Sequence, residues 1–337
     1  MTPLRRTLVC LIALLAAGAG LRAQGAGQDG EARTRELKAM LSLVDRVAGG
    51  HETPNELGLA WLREDYLKAQ DRQSYVPFTV TVDPTKVPGG AVTLYWRVVA
   101  RGGGASGQAA GRARKGSFPY EDLSSAVVTG DAPVPISRSF TVPAGTYDVY
   151  VLAREAAAAR RTPAPKTAVL AREVVVPDFW NDALSTSSLI VVDRIEAVTA
   201  PLSREQKADH PYALGSIEIV PSYRSTFTRG SELSTFMQIY NAATDAAQLP
   251  DVVVEFSFFR KDPAGPETFF NRTPPLNLKA GTMESTFSFA AGHQLQTGQA
   301  VKLSSFPEGN YRLEIKVTDR IANKALTRDL SFRVGPS

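Results

Sequence analysis

The chain has 337 residues, 43% hydrophobic and 21% charged, with a single cysteine and a formal charge of +4. That composition suits a globular chain with a sizeable core, and a lone cysteine excludes a disulfide scaffold. Three of the 38 basic residues, Arg5, Arg6 and Arg22, precede residue 24, which leaves 35 against 34 acidic residues and a charge of +1. Nothing in that balance argues for nucleic acid or an anionic membrane surface as a partner.

In chain order, Arg5-Arg6 and the apolar run Thr7–Ala17 read as a secretory signal peptide over residues 1–23, cleaved after Ala23 or Ala19. Cys10 lies inside it, so the exported chain is expected to carry no thiol and no disulfide, and no later run is long enough to anchor it in a membrane. Residues 24–72 form the expected helical segment. Leu37, Met40, Leu41, Val44 and Val47 recur at three-four spacing until Gly49-Gly50, and Thr53-Pro-Asn-Glu56 opens a second helix with Leu59, Leu62, Tyr66 and Trp61 on its apolar side. The pair is expected to form a helical hairpin packed on the first β-unit.

From Tyr75 the apolar period becomes two. Val76, Phe78, Val80 and Val82 alternate with polar residues, as do Val92, Leu94, Trp96 and Val98. Then Pro143-Ala-Gly-Thr-Tyr147-Asp-Val-Tyr-Val151 returns as Pro307-Glu-Gly-Asn-Tyr311-Arg-Leu-Glu-Ile315, each copy followed by a turn and a closing strand. The fold class is therefore mainly β: two tandem immunoglobulin/fibronectin-III-like sandwiches behind a signal peptide and a short helical hairpin. The first covers 73–177, a linker 178–188 follows, and the second covers 189–337. Strands of the second copy are placed at Leu233–Ile239, Val252–Phe258, Phe287–Phe289, Tyr311–Val317 and Leu330–Val334. Pro-x-Gly-x-Tyr at a strand start predicts a tyrosine corner at Tyr147 and at Tyr311, and Trp96 is placed in the core. The basic, low-complexity stretches 102–115 and 155–165 are predicted hairpin tips.

Residues of chemical interest are few. His51, His210 and His293 stand apart from one another, and the adjacent carboxylates Glu64-Asp65 and Glu121-Asp122 read as solvated faces. No catalytic, cofactor or metal residue is predicted. Contact residues are sought among aromatics instead: Phe179 and Trp180 between the units, as interdomain wedge or ligand platform, with Tyr120, Phe269 and Phe270.

The succession Val176-Pro-Asp-Phe-Trp180, Leu184–Ile195, His210-Pro-Tyr-Ala-Leu-Gly215, Pro221–Gly230 and Leu233–Asn241 resembles uncharacterised exported bacterial β-sandwich proteins, including the β-rich regions of GWxTD-containing and von Willebrand factor A-related secreted proteins. The resemblance covers mainly residues 175–335 and implies architecture. No Gly-Trp-x-Thr-Asp string and no Asp-x-Ser-x-Ser motif occurs, so no metal-adhesion residue carries over. The expected function is that of a non-catalytic exported scaffold or protein-interaction protein of the bacterial periplasm or envelope, with other envelope proteins as partners. The alternative is a carbohydrate-binding sandwich with glycans as partners.

Overall fold

The computed structural model describes residues 34–101, 118–156, 164–262, 265–284 and 286–336. The expected signal peptide, the loop over 102–115 and most of 155–165 lie outside them.

Helix α1 spans 34–48, and the chain leaves it at Gly50 with φ of 88°, a left-handed exit that glycine accepts without strain. Its buried stripe Met40, Val44 and Val47 packs on Tyr95, Leu152 and Val169 of the first sandwich. Arg97 with Asp45 (2.5 Å) and Arg154 with Glu36 (3.2 Å) pin its polar flank.

The second expected helix is absent, and β-structure occupies its place. Strands β1 (Ala60–Glu64) and β2 (Leu67–Lys68) form the broken edge of the first sandwich, inside the stretch 24–72 expected to be helical. The reason is local. Asn55 accepts from Leu59 N at 2.7 Å and donates to Leu59 O at 3.0 Å, which holds 55–59 out of a helix. Leu57 and Leu59 are buried, and Trp61 stacks on Phe78 with ring centroids 5.1 Å apart. This is a spacing of two, not of three and four.

The rest of the first sandwich is β3 (Ser74–Val82), β4 (Ala91–Ala100), β5 (Tyr120–Val127), β6 (Val134–Val142), β7 (Gly145–Glu155) and β8 (Thr167–Val176). One sheet runs β1 and β2, β3, β6; the other runs β5, β4, β7, β8. Val76, Phe78 and Val80 from one sheet meet Leu94, Trp96 and Val149 from the other in a single core.

The second copy repeats the order. Its strands are β9 (Ser185–Thr186), β10 (Ile190–Ala197), β11 (Ala213–Leu214), β12 (Ile217–Pro221), β13 (Thr226–Thr228), β14 (Glu232–Tyr240), β15 (Asp251–Lys261), β16 (Thr268–Arg272), β17 (Leu276–Lys279), β18 (Leu295–Lys302), β19 (Gly309–Asp319) and β20 (Lys324–Gly335). Here β9 and β10 flank β14 and β18 follows, facing a sheet of β16 and β17, β15, β19 and β20. Two details differ from expectation. Phe287 and Phe289 sit in turns and pack sideways against the core, while the strand is β18, whose polar sequence conceals it. An insertion after β10 adds the six-residue helix α2 (Arg204–Asp209), β11 and β12, and β13 then pairs in parallel with β20.

Both tyrosine corners are present. Tyr147 donates to Pro143 O at 2.9 Å and Tyr311 to Pro307 O at 2.7 Å. Tyr147→Phe and Tyr311→Phe are each expected to lower stability by about 1–3 kcal/mol, since each leaves a carbonyl without its donor. Tyr311, fully buried, should show the larger loss in urea unfolding. Asp319, 0% exposed, closes the β19–β20 turn by accepting from Ile321 N and Ala322 N at 3.0 Å and from Ala243 N at 2.7 Å.

Candidate functional site

The chain crosses between sandwiches at Phe179 and Trp180. Phe179 is 3% exposed, with its ring edge-on to Tyr240 at 5.0 Å. Its carbonyl accepts from Asn241 Nδ2 at 3.0 Å. Trp180 reaches back to the first sandwich, where its indole N–H donates to Gln73 O at 3.0 Å and the Lys68 ammonium lies 4.2 Å above the ring. The Tyr240 hydroxyl accepts from Lys68 N at 3.0 Å and donates to Gln238 at 2.8 Å. Phe179 thus touches the second sandwich and Trp180 the first.

A buried polar lock lies next to it. Asp65 is 1% exposed, so the reading of Glu64-Asp65 as a solvated face holds for neither residue in full: Glu64 accepts from the Trp61 indole at 2.5 Å. The Asp65 carboxylate accepts from Arg63 at 2.5 and 2.7 Å and from the Tyr212 hydroxyl, in the insertion of the second sandwich, at 2.8 Å. Arg63 also donates to Leu189 O at 3.1 Å. Burial by itself would lower the pKa of Arg63; the bonds to Asp65 outweigh it and hold the guanidinium above its ordinary value. Burial and then the neighbouring Asp65 charge push the Tyr212 phenol up, so it stays a neutral donor. Tyr66 N to Ser188 Oγ (2.9 Å) and Tyr75 Oη to Pro211 O (2.8 Å) extend the seam. Charged hydrogen bonds inside a low-dielectric seam fix geometry strongly, because breaking one strands its partner.

Beyond the seam, a cleft of about 520 Å³ opens between β5, β6 and the insertion. Tyr75, Tyr120, Asp122 and Thr141 form one wall, Lys207 and His210 part of the other. The Tyr120 ring leans on Phe140 at 6.3 Å, and its hydroxyl is 3.3 Å from Asp122. His210 is engaged through Nδ1 by Glu218 at 2.8 Å. Burial pushes the Tyr75 phenol up to about 12. The volume falls in the range of small-ligand sites.

The remaining two aromatics lie at neither place. Phe269 is 59% exposed beside Phe259, whereas Phe270 folds inward against Phe306 and Tyr311 at 4.8 and 5.4 Å. The structure thus joins Phe179 with Trp180, puts Tyr120 in the cleft and leaves Phe269 and Phe270 on the far unit. Asp65, Arg63 and Tyr212 are the residues that sequence reasoning missed. Of these only Arg63 lies in a strand; Asp65 follows β1 and Tyr212 sits in a turn, so no strand pattern marks them.

Among the described residues, no group of three or more His, Cys, Asp and Glu side chains is placed to hold a metal ion, and no helix is long and apolar enough to cross a membrane. No family model matches the chain, and no curated protein matches it. Solved structures similar to it include Escherichia coli alpha-2-macroglobulin activated by porcine elastase, at 10% identity and a TM-score of 0.25, with 78% of this chain and 22% of that one covered. Salmonella alpha-2-macroglobulin reacted with methylamine is similar at 12% identity and a TM-score of 0.23, with 85% of this chain covered. The chain spans 22% and 17% of the lengths of these two proteins.

Proposed function

We propose that the chain is a non-catalytic, exported scaffold or protein-interaction protein of the bacterial periplasm or envelope. Its two sandwiches are held as one rigid strut that presents surfaces to other envelope proteins. The observation that carries this reading is the Asp65 carboxylate, shared between Arg63 of the first unit and Tyr212 of the second, because a buried shared charge fixes one orientation. The basic start with its apolar run supports export. Crosslinking in the native envelope should recover a defined protein partner. Saturable turnover of a substrate by the purified chain would end the non-catalytic reading.

One observation favours a second reading, a carbohydrate-binding sandwich. The cleft sets the half-exposed Tyr120 ring beside Asp122, His210 and Lys207, an aromatic platform ringed by hydrogen-bonding groups. Polysaccharide retention lost in Tyr120→Ala at unchanged melting temperature would support it. Equal retention by the two proteins, or none by either, would remove it.

A further inference from the structure

β18 ends its sheet. It pairs with β14 alone, from Glu232↔Lys302 to Ile239↔Leu295, so its far edge has no strand beside it among the described residues. An open edge of that kind is a template for another strand, and folded proteins blunt it with charge, proline, bulges or a covering segment.

The other long edges of this molecule are blunted. β6 carries Pro135 and the buried Arg138, whose guanidinium donates to Ser124 Oγ at 2.6 Å and Ser125 O at 2.9 Å of β5 and lies 3.0 Å from Asp209. The start of β8 is covered by residues 54–56, and its remainder carries Arg172 and Glu173. β20 is paired with β13 at one end and carries Arg328 and Asp329 in its middle. β5, the edge beside β4, carries Glu121 and Asp122, and β18 differs from all four. Leu295-Gln-Thr-Gly-Gln-Ala-Val301 contains no charge and no proline, and its pairing with β14 has no register shift. A groove of about 660 Å³ lies along it, with Leu276, Leu278 and Ile217 in its walls.

A second observation says what fits. Thr297 is 4% exposed, yet its hydroxyl has no hydrogen-bond partner. A buried orphan of this kind is costly and uncommon in a finished structure. The strand is also nearly its own mirror about Gly298. In an antiparallel pairing of two copies centred there, Leu295 faces Val301, Gln296 faces Ala300 and Thr297 faces Gln299. Directly opposed residues place their Cβ atoms about 5 Å apart, within reach of a glutamine amide for a threonine hydroxyl. Lys302 then faces Gln294, so no like charges oppose each other.

We propose that β18 is a self-complementary edge onto which a second copy of this chain adds antiparallel, about a two-fold axis through Gly298. The two β10–β14–β18 sheets become one continuous sheet, and each orphan Thr297 hydroxyl gains the Gln299 amide of the other copy. The contact is isologous, as closed two-fold dimers require, and main-chain hydrogen bonds supply the adhesion while the facing side chains set the register. This goes beyond the scaffold reading and does not depend on it.

Sedimentation of the purified chain over a dilution series reaching about 1 mM tests it, since even a weak edge contact populates the dimer there. The parent is expected to show twice the monomer mass at the top of the series. Gln296→Lys with Ala300→Lys, both on exposed positions, sets lysine opposite lysine twice and should give monomers with the parent's melting temperature. Gln296→Lys with Ala300→Glu sets lysine opposite glutamate and should restore the dimer. A parent that stays monomeric throughout overturns the proposal, and this outcome needs no variant to fold. A folded double-lysine chain that dimerises as the parent does, or a folded lysine–glutamate chain that stays monomeric, overturns it as well.

Discussion

Replacing Asp65 by alanine is expected to destabilise the chain by about 3 kcal/mol, the lower end of the range for breaking a buried ion pair. The lower end applies because the Arg63 side chain keeps 21% of its exposure and can recover some water, while Asp65 keeps 2%. Two groups lose their partner at once: the Arg63 guanidinium and the Tyr212 hydroxyl, which donates to the same carboxylate from the other unit. Urea unfolding would show the loss as a lower midpoint. Calorimetry should show more, a parent transition that is single and a variant transition that splits as the two units part. Asp65→Asn retains an acceptor for Tyr212 and is expected to fall between the two. If Asp65→Ala unfolds at the parent's midpoint, the shared carboxylate does not hold the seam.

Phe179→Ala should cost about 3 kcal/mol or more, the usual result of deleting a buried phenylalanine. The ring is enclosed by the junction, edge-on to Tyr240, and Tyr240 in turn accepts from Lys68 N of the first unit. Removing it leaves a void at the point where the two units meet, so packing and seam weaken together. Trp180→Ala should cost less, because its ring is half-exposed and its bond to Gln73 is a single neutral one. A ligand platform would give the opposite order of effects: loss of binding at Trp180 with little change in stability at Phe179. Denaturant midpoints of the two variants decide between wedge and platform.

The duplicated module was legible because its signal is local. Pro-x-Gly-x-Tyr places a corner within five consecutive positions, and both copies keep its Pro, Gly and Tyr. The strand period around Val80, Trp96, Ile239 and Ile315 is equally local, and all four residues lie in the cores. A further signal was available in the difference between copies. Val149-Tyr-Val-Leu-Ala153 is apolar on both faces, whereas Leu313-Glu-Ile-Lys-Val317 alternates. The first pattern marks a strand covered on its outer side, here by α1 over Leu152; the second marks one facing water at Lys316.

What escaped the sequence depends on distance. Asp65 and Tyr212 are 147 residues apart, and nothing in either neighbourhood announces the other. No second helix forms, because Leu59, Leu62 and Tyr66 satisfy a helical spacing by accident while Asn55 fixes the backbone otherwise. β18 shows no period in the sequence because an edge strand with exposed Gln296, Gly298 and Ala300 has too few apolar residues to set one.

Amide nitrogen relaxation across the whole chain tests the central claim most directly, that the seam around Asp65 makes one body of two sandwiches. A single overall tumbling time is expected, shared by β3–β8 and by β14–β20. Distinct tumbling times for the two strand sets, with mobile amides between Trp180 and Ser188, would contradict it.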